Sequence, residues 1–206
     1  AGDMMDNFDT GLTVTGPLTL EASAGDNSIL YTLPSMVDGL SVQASLSTVG
    51  TSTNTGNSAM GYNATYTGVD GLSVSYGIAD IETGAAASSG DQTVMKASYA
   101  YGPVTVAYSN SDYSVGAANT EALGQEVTSY AVSYTVSDAI SVTYGTETIT
   151  SGLAGSTDAE YDGLSVAYTA GGMTITAKSQ EAENISHSTA TNEDYDYWSL
   201  GLSFAF

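Results

Sequence analysis

Cysteine and arginine are both absent from the 206-residue chain, and lysine occurs only twice. Without cysteine there is no disulfide framework, no thiolate zinc site and no thiol nucleophile. Against the two lysines stand 23 Asp plus Glu, for a formal net charge of −21. A chain this acidic repels phosphate backbones, so nucleic acid is not an expected partner, and it gains nothing from an anionic membrane surface. The single histidine, His187, lies in the polar stretch Asn184–Thr191 with no orienting partner in sequence. It reads as loop, and no catalysis is expected. No EF-hand or nonapeptide calcium repeat is present, and neither a metal nor a cofactor is expected. No basic N-terminus leads into an apolar segment, so any signal peptide is expected to have been removed. Nor does any stretch approach the ~20 consecutive apolar residues of a membrane-spanning helix. That last absence leaves β-barrels untouched, because a barrel strand turns only every second side chain to lipid.

Hydrophobic residues make up 42% of the chain while charged ones make up 12%. Glycine, serine, threonine, tyrosine, valine and alanine dominate, which is a vocabulary of strands and turns. The apolar residues alternate. Met60, Tyr62, Ala64 and Tyr66 share one face, with Asn63, Thr65 and Thr67 on the other. The same pattern recurs at Leu72–Ile78, Met95–Tyr101, Val104–Tyr108, Tyr130–Val136, Ile140–Tyr144, Leu164–Tyr168, Met173–Ala177 and Trp198–Phe206. A soluble sheet coats its polar face with Lys, Glu and Arg. Here that face is almost entirely Ser, Thr, Gly and Ala, as suits an interior crowded by its own curvature. The apolar face then meets lipid. The expected fold is all-β, a transmembrane antiparallel barrel built as a meander, with residues 1–206 forming a single domain. By parity Lys96, Glu147 and Lys178 point inward, as pore-lining positions.

The connections alternate as well. Tight ones fall at Ser35–Gly39, Asp70-Gly71, Gly102-Pro103, Ser137–Ala139 and Gly171-Gly172. Long polar ones are expected at Thr51–Ser58, Gly84–Asp91, Ala117–Glu126, Ser151–Ala159 and Ser186–Asp194. Short turns on one side and long loops on the other is the asymmetry of outer-membrane barrels. Tyrosines cluster near strand ends, where an interfacial girdle places its rings.

Two motifs carry a family resemblance. The chain finishes Tyr197-Trp198-Ser199-Leu200-Gly201-Leu202-Ser203-Phe204-Ala205-Phe206. Its alternating Trp198, Leu200, Leu202, Phe204 and Phe206 resemble the C-terminal sorting signal read by the barrel-assembly machinery. Asn27-Ser28-Ile29-Leu30-Tyr31-Thr32-Leu33-Pro34-Ser35, followed by Gly39-Leu40-Ser41, is similar to the stretch after the constriction loop of Gram-negative general porins. That family usually has arginine where Leu30 stands. The resemblance implies a sixteen-stranded barrel whose sixth strand is Ile29–Leu33. It also implies about eleven strands in residues 28–206, a constriction-loop region in residues 1–27, and five earlier strands outside the given sequence. Gly11–Ala22 alternates too, and as a strand it would bring the total to about twelve.

The implied function is an outer-membrane porin, a water-filled channel for passive diffusion of small hydrophilic solutes and ions. It implies a homotrimer in contact with outer-membrane lipid and lipopolysaccharide. The family sets basic groups on the wall against acidic groups on the constriction loop. Asp3, Asp6 and Asp9 match the acidic side, and the lack of arginine leans towards a cation preference. Acidic residues such as Asp91, Glu126, Asp158 and Glu160 read as solvated loop charge, or as carboxylates bridged by divalent cations to lipopolysaccharide. The alternative from another class is a structural or adhesive surface β-protein without channel activity.

Overall fold

The computed structural model describes residues 28–51, 54–82, 90–115, 124–185, 187 and 194–205. Eleven strands account for most of them: β1 (Ser28–Thr32), β2 (Leu40–Thr51), β3 (Asn54–Tyr66), β4 (Leu72–Glu82), β5 (Gly90–Tyr101), β6 (Val104–Val115), β7 (Gln125–Ser137), β8 (Ile140–Ser151), β9 (Ala159–Ala170), β10 (Met173–Glu183) and β11 (Tyr195–Phe204). They form one 11-stranded sheet in simple sequence order, every neighbouring pair antiparallel. No helix occurs among the described residues. Gly11–Ala22, the candidate twelfth strand, lies outside them.

The tight ends of the hairpins are built as the sequence indicates. Leu72 N donates to Val69 O at 3.0 Å, closing the β3–β4 turn, and Ala100 N donates to Gly71 O at 2.8 Å, tying that turn to β5. Gly71 has a φ of +74°, and a Cβ there would collide with the carbonyl oxygen of Ala100. Position 71 therefore admits glycine alone without a backbone shift.

The other ends differ from expectation. Thr51 pairs with Asn54, so β2 and β3 continue as a ladder through most of the expected Thr51–Ser58 loop. Gly90 and Asp91 likewise belong to β5, Gln125 and Glu126 to β7, and Ala159 to β9. The strands run past the region where alternation is visible, because beyond the lipid zone an outward position need not be apolar.

Register fixes the two faces. Tyr62 stands opposite Ala44 and Ile78, and Tyr130 opposite Tyr108, so the apolar residues of successive strands share one side. That side is exposed: Trp198 is 79% and Leu200 68% accessible, and Met60, Tyr62, Tyr76, Val106, Val132, Tyr144 and Leu164 are exposed with them. Buried residues gather on the opposite side, and several are polar, among them Ser47, Ser109, Ser129, Glu147 and Gln180. A water-soluble sheet does the reverse. Apolar outside and crowded polar inside is the arrangement of a barrel wall in lipid. Along β7 the outward apolar run is the seven residues Tyr130–Val136, and along β8 only Ile140–Tyr144.

Candidate functional site: the inner wall and its outer mouth

The inner face is a field of small hydroxyl-bearing side chains that bond sideways across the strands. Thr65 Oγ1 donates to Ser75 Oγ at 3.2 Å. Ser133 and Thr143 hydroxyls lie 2.9 Å apart, and those of Thr169 and Thr174 3.0 Å apart. Gln92 Nε2 donates to Ser111 Oγ at 3.3 Å. Such cross-strand pairs stabilise the ladder by fractions of a kcal/mol each while leaving lone pairs to face water.

Among the described residues two lysines and one glutamate interrupt this field, all on the inner face, the side their parity in the sequence gives. Lys96 on β5 sits between Ser75 and Ser109, and Lys178 on β10 between Ser165 and Ser199. Both lysines are half-buried. Glu147 on β8 lies between Ser129 and Tyr161 and is only 2% exposed. Ser129 Oγ donates to its Oε2 at 2.6 Å, a short O–H···O bond. The sequence places Glu147 on the correct face but gives no sign of this depth. Asp3, Asp6 and Asp9 lie outside the described residues, as does Phe206. Trp198, Leu200, Leu202 and Phe204 all stand on the outer face of β11, fully in the apolar belt.

Above the belt the outer face changes character at nearly one level. Asp80 faces Asp91, Asp112 faces Glu126, and Asp162 faces Glu181, which in turn faces Asp196. These carboxylates are exposed. Asn110 Nδ2 donates to Glu126 Oε1 at 2.8 Å and Tyr144 Oη to Asp162 Oδ1 at 2.7 Å. Both lysines lie on the other face, so this rim is a collar of uncompensated negative charge among the described residues. Nowhere among them do three or more His, Asp or Glu gather as a metal would require.

One inward feature is invisible in the sequence. Ile149, Ala159, Tyr161 and Ala182, all inner-face positions near the collar level, form a buried apolar patch, and Ile185 and Val127 pack against it. Beside Ile185, His187 bonds to the β8–β9 connection and to β7.

Two further observations decide what this wall is. The family model for Gram-negative porins matches residues 1–152. The chain belongs to the Gram-negative porin family. Among solved structures, a porin refined at 1.8 Å superposes with a TM-score of 0.69 at 21% identity, over 92% of this chain and 65% of that one. OmpF of Salmonella typhi, in a complex with daunomycin, gives 0.62 at 15% identity over 86% and 62%. An anion-selective porin from Comamonas acidovorans gives 0.61 at 18% identity over 76% and 48%. No curated protein sequence matches. The chain thus spans less than two thirds of the length of these porins. At such identities the likeness is one of fold, and that fold is the porin β-barrel. Family membership places this porin in the bacterial outer membrane, in a family of channels, not enzymes.

Proposed function

We propose that this porin forms the greater part of the wall of a water-filled channel, through which small hydrophilic solutes and ions diffuse passively. The observation that carries the reading is the inverted amphipathicity of the sheet. Exposed Tyr, Leu and Val cover one face, and mostly small side chains, many of them hydroxyl-bearing, cover the other. Such a field hydrates a lumen without binding any solute tightly, which suits passage down a gradient.

The channel prefers cations. The collar at the long-loop end carries Asp80, Asp91, Asp112, Glu126, Asp162, Glu181 and Asp196. Only Lys96 and Lys178 oppose them from the wall. A negative rim raises the local cation concentration and lowers that of anions. The porin fold itself fixes no sign, since the Comamonas relative is described as anion-selective. Asp3, Asp6 and Asp9 extend the negative field to the waist if residues 1–27 form the constriction loop. A homotrimer, insertion by the barrel-assembly machinery and contact with lipopolysaccharide complete the proposal.

Planar-bilayer recording of detergent-purified protein across a salt gradient tests it. Stable conductance steps with a cation-favouring reversal potential are expected. Folded, oligomeric protein without conductance refutes the channel, and an anion-favouring potential refutes the selectivity.

A further inference from the structure

The apolar belt is not uniform below the collar. Outward positions on β10 run Ile175, Ala177, Ser179, Glu181 and Glu183 towards the long-loop end, about 7 Å apart. Ala177 and Ser179 are exposed, and both lie between bulkier neighbours. Val166 and Leu200 flank Ala177, and Leu164 and Trp198 flank Ser179. Across β10, β9 and β11 stand about 10 Å apart. Two successive small residues therefore leave a trough one side chain deep, walled by Leu, Val and Trp. Ala44, Ala64 and Ala97 also face outward, but each has a bulky residue directly above and below it on its own strand.

The trough ends in carboxylates. Glu181 stands between Asp162 and Asp196, and Glu183 faces Glu160, all of them exposed. Tyr144 Oη, a neutral donor, reaches Asp162 at 2.7 Å, and neither lysine shares this face. Charge therefore constrains what can cover the trough. A second copy of this chain would bring its own acidic collar against it, and like charges oppose association. A lipid with an anionic headgroup meets the same repulsion. The order of groups along β10 is an apolar floor, a neutral hydroxyl and then carboxylates. It matches a lipid whose acyl chain is followed by a polar linkage and then by a primary ammonium. The Ser179 hydroxyl can donate to an ester or phosphate oxygen. About 7 Å above it, carboxylates can accept the three N–H groups of the ammonium in charge-assisted bonds.

We propose that the outer face of β9, β10 and β11 seats a membrane lipid whose headgroup carries a primary ammonium. An acyl chain lies along Ala177, and the ammonium sits against Asp162, Glu181 and Asp196. This goes beyond the channel reading. It requires that the face meets lipid and does not depend on conductance.

Trp198, the only tryptophan of the chain, stands on the wall of the trough and reports its occupant. Protein is folded into phosphatidylcholine vesicles containing a minor fraction of lipid with dibrominated acyl chains, which quench tryptophan on contact. That lipid carries an ethanolamine, a choline or a glycerol headgroup. The ethanolamine lipid is expected to quench several-fold more than either of the others at the same fraction. Molar salt should abolish the excess, and so should the triple variant Asp162→Asn/Glu181→Gln/Asp196→Asn. Ala177→Leu, which fills the floor and keeps every charge, should reduce it. Equal quenching by the three headgroups overturns the proposal, as does an excess that survives in the triple variant. Stronger quenching by the glycerol lipid that a chelator removes also overturns it, since divalent cations would then be bridging to anionic lipid. No quenching by any of the three would take lipid off this face, and the proposal falls with it.

Discussion

Val132 and Ser133 are neighbours on β7 that face opposite sides of the wall, and a lysine at each separates the two environments. Val132 is exposed in the middle of the outward run Tyr130–Val136, opposite Val106 and Tyr144. The nearest polar outward position on its strand is Thr128, four residues away, or about 13 Å along a strand. A lysine stem reaches roughly half that distance, so snorkelling gives little relief. Val132→Lys should therefore cost about 2–4 kcal/mol, as for a lysine near the bilayer midplane. That is roughly 30- to 1,000-fold in the folding equilibrium. Ser133→Lys loses the 2.9 Å contact with Thr143, worth about 1 kcal/mol, and its ammonium enters the hydrated lumen. Urea titration of folding into phospholipid vesicles, read by tryptophan fluorescence at constant slope, measures both. Equal costs at the two positions, or folding that proceeds as well in buffer without lipid or detergent, would refute the assignment of faces.

Three other outcomes follow from the geometry. Ser129→Ala removes the 2.6 Å bond to a buried carboxylate and should lower stability by about 1–3 kcal/mol, seen as a lower urea midpoint. Gly71→Ala sets a Cβ against Ala100 O at positive φ, whereas Gly155→Ala has a φ of +85° but open space around it. The first should cost clearly more than the second, which carries only the backbone penalty of about 1 kcal/mol. Asp91→Asn relieves repulsion with Asp80 directly opposite and should raise the thermal midpoint at low ionic strength. Near 1 M salt, where the screening length falls to about 3 Å, that gain should vanish.

Where lipid dictates the side chains, the sequence was legible. Tyr130, Val132, Tyr134 and Val136 alternate because every outward position must be apolar, and the same constraint marks eight other strands. It stops at the collar. Asn54–Asn57 and Gln125-Glu126 also belong to paired strands, the first across a register irregularity between Val49 and Thr51, but water on both faces leaves no period to read. Parity also placed Lys96, Glu147 and Lys178 inside. Depth is another matter: the burial of Glu147 depends on Tyr161 and Ser129 from neighbouring strands, and pairing partners are not written in local sequence. The contacts of His187 reach 30 and 62 residues away, to Thr157 and Gln125.

The shortness of the apolar runs has a consequence for the surrounding membrane. The seven residues Tyr130–Val136 on β7 span about 20 Å of strand, and a tilt of about 40° leaves about 15 Å along the membrane normal. The outward apolar band typical of such barrels is about 25 Å tall. The shortfall is made up by the bilayer, whose acyl chains compress around the protein at a cost that accumulates around its perimeter. Two such proteins side by side share one compressed zone in place of two. The wall therefore carries an attraction for its own kind that needs no complementary contact, and that should strengthen as the host lipids lengthen.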